Sequence, residues 1–218
     1  MNQPQDLTLE IKMSSIVTYS GQMFDYKNPD SWNLWPDDVF VPLSRMPRFS
    51  GATSEPYSVL QHSIFVTCIV EHIMLPLKNF VGLGYMYKLS KAALLHDASE
   101  AFMCDIPTPL KNLLPDYKEI ENIVQESLYN KFCLSNKFIA TNKEIIKVAD
   151  NYAYHIEKSI LFEHMNIEEA KQYLDLMIGK DKYDEMISLF IEINTKCKDA
   201  SSEVFYANNL LNWYDKEI

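Results

Sequence analysis

Two histidines and two aspartates, His62, His96, Asp97 and Asp150, are the residues of this sequence best suited to hold a divalent cation. The adjacent pair His96-Asp97 sits inside the apolar stretch Ala92-Ala93-Leu94-Leu95-His96-Asp97-Ala98, where an ionisable group is costly to bury without a partner. A bound metal is such a partner. Imidazole and carboxylate together make a borderline-hard donor set that suits Zn, Mn, Co or Fe and leaves room for water or a phosphate oxygen. A cation held there polarises a phosphoryl oxygen and lowers the pKa of water, the two effects that cleavage of a phosphate ester requires.

Further acids follow the pair. Glu100 stands three residues after Asp97 and Asp105 eight after it, ahead of Ile106-Pro107-Thr108-Pro109-Leu110-Lys111. On a continuous helix Ala93, His96, Asp97 and Glu100 share one face, so Glu100 can orient or deprotonate an attacking water without occupying a ligand position. The plain alternative is a solvated helix glutamate. For Asp105, at the start of a proline loop, the alternative is a turn or N-cap residue.

In this order and separation, His62, His96-Asp97 and Asp150 resemble the metal signature of the HD-domain phosphohydrolase superfamily. The continuation through Glu100, Asp105 and the proline loop resembles the bacterial 5'-deoxynucleotidases and the phage-type deoxyadenosine triphosphate triphosphohydrolases. The similarity runs from Arg45 to Leu161. It implies an all-α fold, a divalent transition metal (Zn, Co or Mn) with Mg on the substrate phosphates, and self-association through helical surfaces. It also implies that Asp105 helps to activate water or protonates the leaving oxygen.

Basic residues supply a second clue. Lysine and arginine total 20, yet the only arginines are Arg45 and Arg48, both in Leu43-Ser44-Arg45-Met46-Pro47-Arg48-Phe49. Arginine offers phosphate a planar, bidentate fork that lysine cannot copy, so two arginines together in a lysine-biased chain mark a candidate substrate site. By resemblance, Arg48-Phe49 takes the place of the Arg-aromatic pair that contacts phosphate and packs on the sugar in the deoxynucleotidases. Phe49 would then fill the space of a ribose 2'-hydroxyl, with core packing as the rival account; the family pair usually carries Trp at that position. Lys111 is a candidate second phosphate contact, with an ordinary surface lysine as the alternative. Nothing is assigned to His72, His155 or His164.

The elements that must position these groups read as helices. The first fifty-odd residues, with Pro29, Pro36, Pro42, Pro47 and Pro56, predict an irregular wrap, and Asn28-Pro29-Asp30 predicts a turn. Apolar spacing predicts helices from Tyr57 to Met74, from Tyr85 to Met103 and from Asp116 to Phe132. Another is expected from Thr141 onward, where Thr141-Asn142-Lys143-Glu144 reads as a capping box ahead of Asp150. Asn166 to Gly179, Asp181 to Lys196 and Ser202 to Tyr214 complete the set, and no alternating strand of convincing length is present. The expected organisation is one all-α domain over 1–218, with an irregular 1–44, a metal-binding core 45–161 and C-terminal helices 162–218.

Composition narrows the partners. A net charge of −10 argues against a nucleic-acid polymer, whose displacement of counterions requires dense Lys and Arg. Cys68, Cys104, Cys133 and Cys197 form no C-x-x-C pair, the residues from Met1 to Asp6 lack a secretory pattern, and the longest apolar runs read as too short for a bilayer. Free thiols in a cytoplasmic protein with no membrane partner are the expectation. With five glycines there is no Walker or dinucleotide-binding loop, and no Ser or Cys nucleophile motif. Ala101 after Glu100 departs from guanosine tetraphosphate hydrolases, and the Gly-Tyr-Pro element of cyclic-dinucleotide phosphodiesterases is absent.

The reading is a metal-dependent phosphohydrolase of 2'-deoxynucleotides, bound as small molecules. The approach to the arginines, with its turn before Trp32, resembles phage-borne HD proteins and tips the choice towards a triphosphohydrolase releasing triphosphate. The alternatives are a 5'-deoxynucleotidase acting on monophosphates, and a catalytically idle nucleotide-binding HD protein.

Overall fold

A computed structural model describes residues 14–33, 35–162 and 182–216, with residues 168, 171 and 172 between them. In chain order they form a hairpin of β1 (Ser15–Val17) and β2 (Met23–Asp25), then α1 (Asp37–Arg45), α2 (Val59–Met74), α3 (Leu83–Leu94), α4 (Pro115–Lys131), α5 (Asn136–Leu161), α6 (Lys182–Lys196) and α7 (Ala200–Lys216). Single-turn helices occupy Lys78–Val81, Glu100–Met103 and Thr108–Lys111. The all-α expectation holds, with one small antiparallel ladder added, in which Ser15 pairs with Asp25 and Val17 with Met23.

The central element is α2, against which α1, α3, α5, α6 and α7 all pack. Its start is fixed by a reciprocal cap: Ser58 Oγ accepts from Gln61 N–H at 2.9 Å and Gln61 Oε1 accepts from Ser58 N–H at 2.9 Å. Val59, Leu60, Ile64, Phe65, Val66, Ile69 and Val70 are fully enclosed. A helix apolar on every side is what a buried core position demands. The stretch Val59–Val81 is, contrary to expectation, apolar and long enough to cross a bilayer, with a hydropathy of 1.5; burial accounts for the apolarity of Val59 to Val70, whereas Leu75, Leu77 and Phe80 are exposed.

Three expectations about the helices are not met. The N-terminal segment is not wholly irregular, since α1 forms in spite of Pro42. Proline removes the hydrogen bond that Asp38 O would accept, but α1 is anchored by Val39, Phe40 and Leu43, all fully buried. The helix bearing Asp150 starts at Asn136, not Thr141: Ser135 Oγ caps it by accepting from Phe138 N–H at 3.3 Å, and Thr141 Oγ1 bonds back to Lys137 O at 2.9 Å. The helix expected over Tyr85–Met103 ends at Leu94 and resumes only as the turn Glu100–Met103. The helix expected from Asn166 lies largely outside the described residues.

The hairpin and the turn after it brace that interrupted segment. Phe24 stacks on Phe102 with centroids 4.3 Å apart and meets Trp32 edge-on at 5.6 Å. The Tyr26 hydroxyl donates to Phe102 O. The N-terminal wrap therefore supports the residues that immediately follow the His-Asp pair.

Candidate metal centre and active site

The side chain of Gln125 explains why the helix breaks at the His-Asp pair. In a regular helix Ser99 N–H would donate to Leu95 O. Gln125, reaching over from α4, inserts between them: its Oε1 accepts from Ser99 N–H at 2.9 Å and its Nε2 donates to Leu95 O at 2.7 Å. His96 Nδ1–H takes the carbonyl of Ala93 at 2.7 Å, diverting a second helical acceptor. The opened turn places His96 and Asp97 together facing α2 and α5.

There the four sequence-derived donors converge. His62 Nε2 lies 3.3 Å from His96 Nε2, 3.2 Å from Asp150 Oδ1 and 3.5 Å from Asp97 Oδ2, and His96 Nε2 lies 3.2 Å from Asp97 Oδ2. One donor atom each of His62, His96 and Asp150 fall within 4.8 Å of one another. Because the Nδ1 of both imidazoles is engaged elsewhere, both Nε2 atoms face the same point as the two carboxylates. Two nitrogens and two oxygens so arranged fit a Zn, Co or Mn ion with coordination positions to spare.

Electrostatics agree with a demand for positive charge. Burial depresses the His96 imidazole, but the carboxylate of Asp97, then Asp150, outweighs it, and the pKa is pushed up to about 9. His62 is raised as well: burial and Arg48 oppose its protonation, while Glu157 and Asp150 win. For Asp97, burial favours the neutral acid, yet His96, His62 and Arg48 hold the group far below the usual carboxylate range. The carboxylates thus favour positive charge at this point, which a divalent cation would supply.

Beside the cluster opens a cavity of about 660 Å³ whose walls include Arg48, Phe49, Asp97, Glu100, Asp105, Lys111 and Asp150. Arg48 is hung on the start of α2, its N–H donating to Tyr57 O at 2.9 Å. Its Nη1 and Nη2 approach Asp97 and Asp150 at 3.9 Å each. Phe49 adopts φ 55, a left-handed conformation that non-glycine residues rarely hold. Its ring contacts Phe162 at 5.3 Å and Tyr154 at 6.0 Å, so packing and a place in the cavity wall are combined.

Glu100 is 4% exposed. Lys111 donates to its Oε1 at 3.1 Å and to Glu121 Oε1 at 2.6 Å, whereas Glu100 Oε2 is buried without a protein partner. Burial, then Asp97 and Asp105, push Glu100 well above the carboxylate range against the pull of Lys111. Burial also raises Asp105, with Arg48 opposing and Asp97 adding. Glu100 is not a solvated surface residue, and Asp105 is not the cap of Thr108–Lys111, whose N-cap is Pro107. Lys111 is no free surface lysine.

Arg45 is not brought to the cluster. It ends α1, exposed, with its guanidinium over the Tyr19 ring at 5.6 Å, and it borders a different cavity. The sequence reading also missed two residues. Glu157 lies two helical turns after Asp150 on α5, a spacing that could have drawn attention to it, and Gln125 gave no signal at all.

We expect Gln125→Leu to cost about 1–3 kcal/mol in urea unfolding, because the turn loses partners for buried backbone groups. The same variant should bind Co or Zn roughly 10–100-fold more weakly, because the His-Asp turn is free to rewind. Unchanged affinity in a cation titration would refute the insertion argument.

Comparison with known proteins places these residues in a wider setting. A sequence model described as 5'-deoxynucleotidase YfbR-like matches residues 42–166. The uncharacterized protein YfdR of Escherichia coli (strain K12) is 36% identical over 122 residues, spanning 56% of this chain and 60% of that protein. The 5'-deoxynucleotidase PM0747 of Pasteurella multocida is 30% identical over 158 residues, spanning 64% of this chain and 80% of the relative. The 5'-deoxynucleotidase VV1113 of Vibrio vulnificus is 26% identical over 163 residues, spanning 66% and 82%.

Proposed function

The chain belongs to the YfbR-like 5'-deoxynucleotidase family of HD phosphohydrolases, and from that premise we propose that it removes the 5'-phosphate from 2'-deoxynucleoside monophosphates. The observation that carries the proposal is that the cluster of His62, His96 and Asp150, with Asp97 beside both imidazoles, adjoins the cavity holding Arg48, Glu100, Asp105 and Lys111. The relatives named 5'-deoxynucleotidase favour this reading over the triphosphohydrolase suggested by the N-terminal approach.

His62, His96, Asp97 and Asp150 would hold the divalent cation, which contributes Lewis acidity and a water of lowered pKa. Arg48 binds the phosphate oxygens, with Lys111 contributing charge beside them. Glu100 would take the proton of the attacking water; Lys111 at its Oε1, together with a cation that offsets the charge of Asp97 now raising it, favours the anionic form that this requires. As the bond between phosphorus and O5' breaks, Asp105, in the same cavity wall and raised by burial above the usual carboxylate range, would give a proton to the leaving oxygen. Phe49 lies against the sugar and excludes a 2'-hydroxyl.

Incubation with deoxy- and ribonucleotides at each phosphorylation level, with Mn, Co, Zn or Mg, tests the reading. The expected product is orthophosphate from deoxynucleoside monophosphates. Release of triphosphate would restore the triphosphohydrolase reading, and nucleotide binding without metal-stimulated turnover would indicate an idle sensor. We expect Phe49→Ala to narrow the deoxy-over-ribo ratio of kcat/KM by about tenfold, the worth of one well-filled contact. An unaltered ratio would remove Phe49 from sugar selection.

A further inference from the structure

The carboxylate of Glu157 is 0% exposed, and every donor it meets belongs to the site or borders it. Oε1 accepts from His62 Nδ1–H at 2.6 Å and from the Tyr57 hydroxyl at 3.0 Å, and Oε2 accepts from Arg48 Nε–H at 2.9 Å. An ionised carboxylate so deep in a protein persists only when its lone pairs are engaged, and here three donors divide them.

We infer that Glu157 is a positioning residue that couples the metal centre to the phosphate clamp. Through Oε1 it fixes the tautomer of His62, so that the proton stays on Nδ1 and Nε2 presents its lone pair beside His96 Nε2, Asp97 and Asp150. Through Oε2 it grips Arg48 by Nε alone and turns Nη1 and Nη2 towards Asp97 and Asp150, each at the loose distance of 3.9 Å. Those two groups are the ones that remain for a substrate oxygen once a cation neutralises the aspartates. One buried carboxylate therefore aims both a ligand and an anion fork, and Tyr57 keeps its Oε1 from rotating away. The clamp half of this inference rests on the phosphohydrolase reading above; the metal half stands on the geometry alone.

Glu157→Gln separates the two halves by simple bonding capacity. An amide has one accepting oxygen and a donating NH2, so it can satisfy His62 and Tyr57 or Arg48, but not both. With oxygen towards His62, its NH2 opposes Arg48 Nε–H, and the guanidinium is released. The neutral amide still holds the His62 tautomer but lends that imidazole less basicity, so the Co affinity, followed by visible absorption without substrate, is expected to fall by no more than about tenfold. Inorganic phosphate should bind the Co-loaded variant about tenfold more weakly, and KM should rise more than kcat falls at saturating Co. Co and phosphate affinities equal to those of the parent would overturn the inference, whatever happens to the melting temperature.

Should the variant not fold, nitrogen-15 correlation spectra of the histidines in the Zn-loaded parent decide instead. Protonated Nδ1 with ligating Nε2 on His62 supports the inference, and the reverse tautomer overturns it. The Co titration and the spectra need no turnover, so an absence of phosphatase activity would count against the proposed function while leaving this test intact.

Discussion

Asparagine in place of Asp97 is expected to lower kcat/KM by about 10³-fold or more and to strip the protein of its tightly held cation. The substitution keeps the volume of the side chain and removes only its charge and one acceptor oxygen. That oxygen, Oδ2, is where the approaches of His62 Nε2, His96 Nε2 and Arg48 Nη1 meet, at 3.5, 3.2 and 3.9 Å. A metal supplies several kcal/mol of transition-state stabilisation, and about 4 kcal/mol corresponds to the rate loss quoted. Treatment of the unaltered protein with a chelator should abolish turnover equally, with recovery on adding Mn, Co or Zn. Orthophosphate release and metal content, measured on the same samples, provide the check. An asparagine variant that keeps its metal and works within tenfold of the parent would show that Asp97 is not a ligand.

Glu100→Gln should divide activity from metal binding. Loss of a general base costs about 10²–10⁴-fold in kcat, whereas Glu100 stands outside the cluster of donors, so the cation affinity should stay within a factor of two or three of the parent. Stability should move the other way. Burial, then Asp97 and Asp105, raise Glu100 above its ordinary 4.5. Between that value and the raised one the folded state holds a proton that the unfolded chain has released, so this group's contribution to stability falls as pH rises. Glutamine abolishes the penalty. With chelator present, its melting temperature should exceed the parent's above pH 4.5, by a margin that grows as pH rises, and the difference should vanish below pH 4.5. A variant that is both less stable at neutral pH and fully active would mean that Glu100 serves the fold and not the reaction.

Reading the chain in one dimension found the helices best where their apolar period was long and uninterrupted. Val59–Met74 and Pro115–Lys131 lie within two residues of the expected bounds, because burial on a fixed face leaves a direct mark on residue order. Failures occurred where a distant side chain decided the backbone. Nothing between Tyr85 and Met103 announces that Gln125 will part Leu95 from Ser99. Local capping chemistry misled at Thr141 because Ser135, six residues earlier, offered a start that packing could extend. Proline misled at α1, where burial of Val39, Phe40 and Leu43 offsets one missing hydrogen bond.

For the site, residue order alone determined the candidate ligands His62, His96, Asp97 and Asp150 and the acids Glu100 and Asp105, since their types and separations restrict the chemistry they can share. Tertiary structure alone decided which basic and buried groups accompany them. Arg45 and Arg48 are indistinguishable by composition, yet one lies over Tyr19 at the surface and the other is held by Glu157 in the cavity wall. Lys111 turns out to be tied between Glu100 and Glu121, and Glu157 and Gln125 emerge only when α5 packs on α2 and α4 packs on α5. The reason is geometric: the capacity to ligate a metal is a property of residue type, whereas a hydrogen bond needs two atoms about 3 Å apart, and only the packed chain sets that distance.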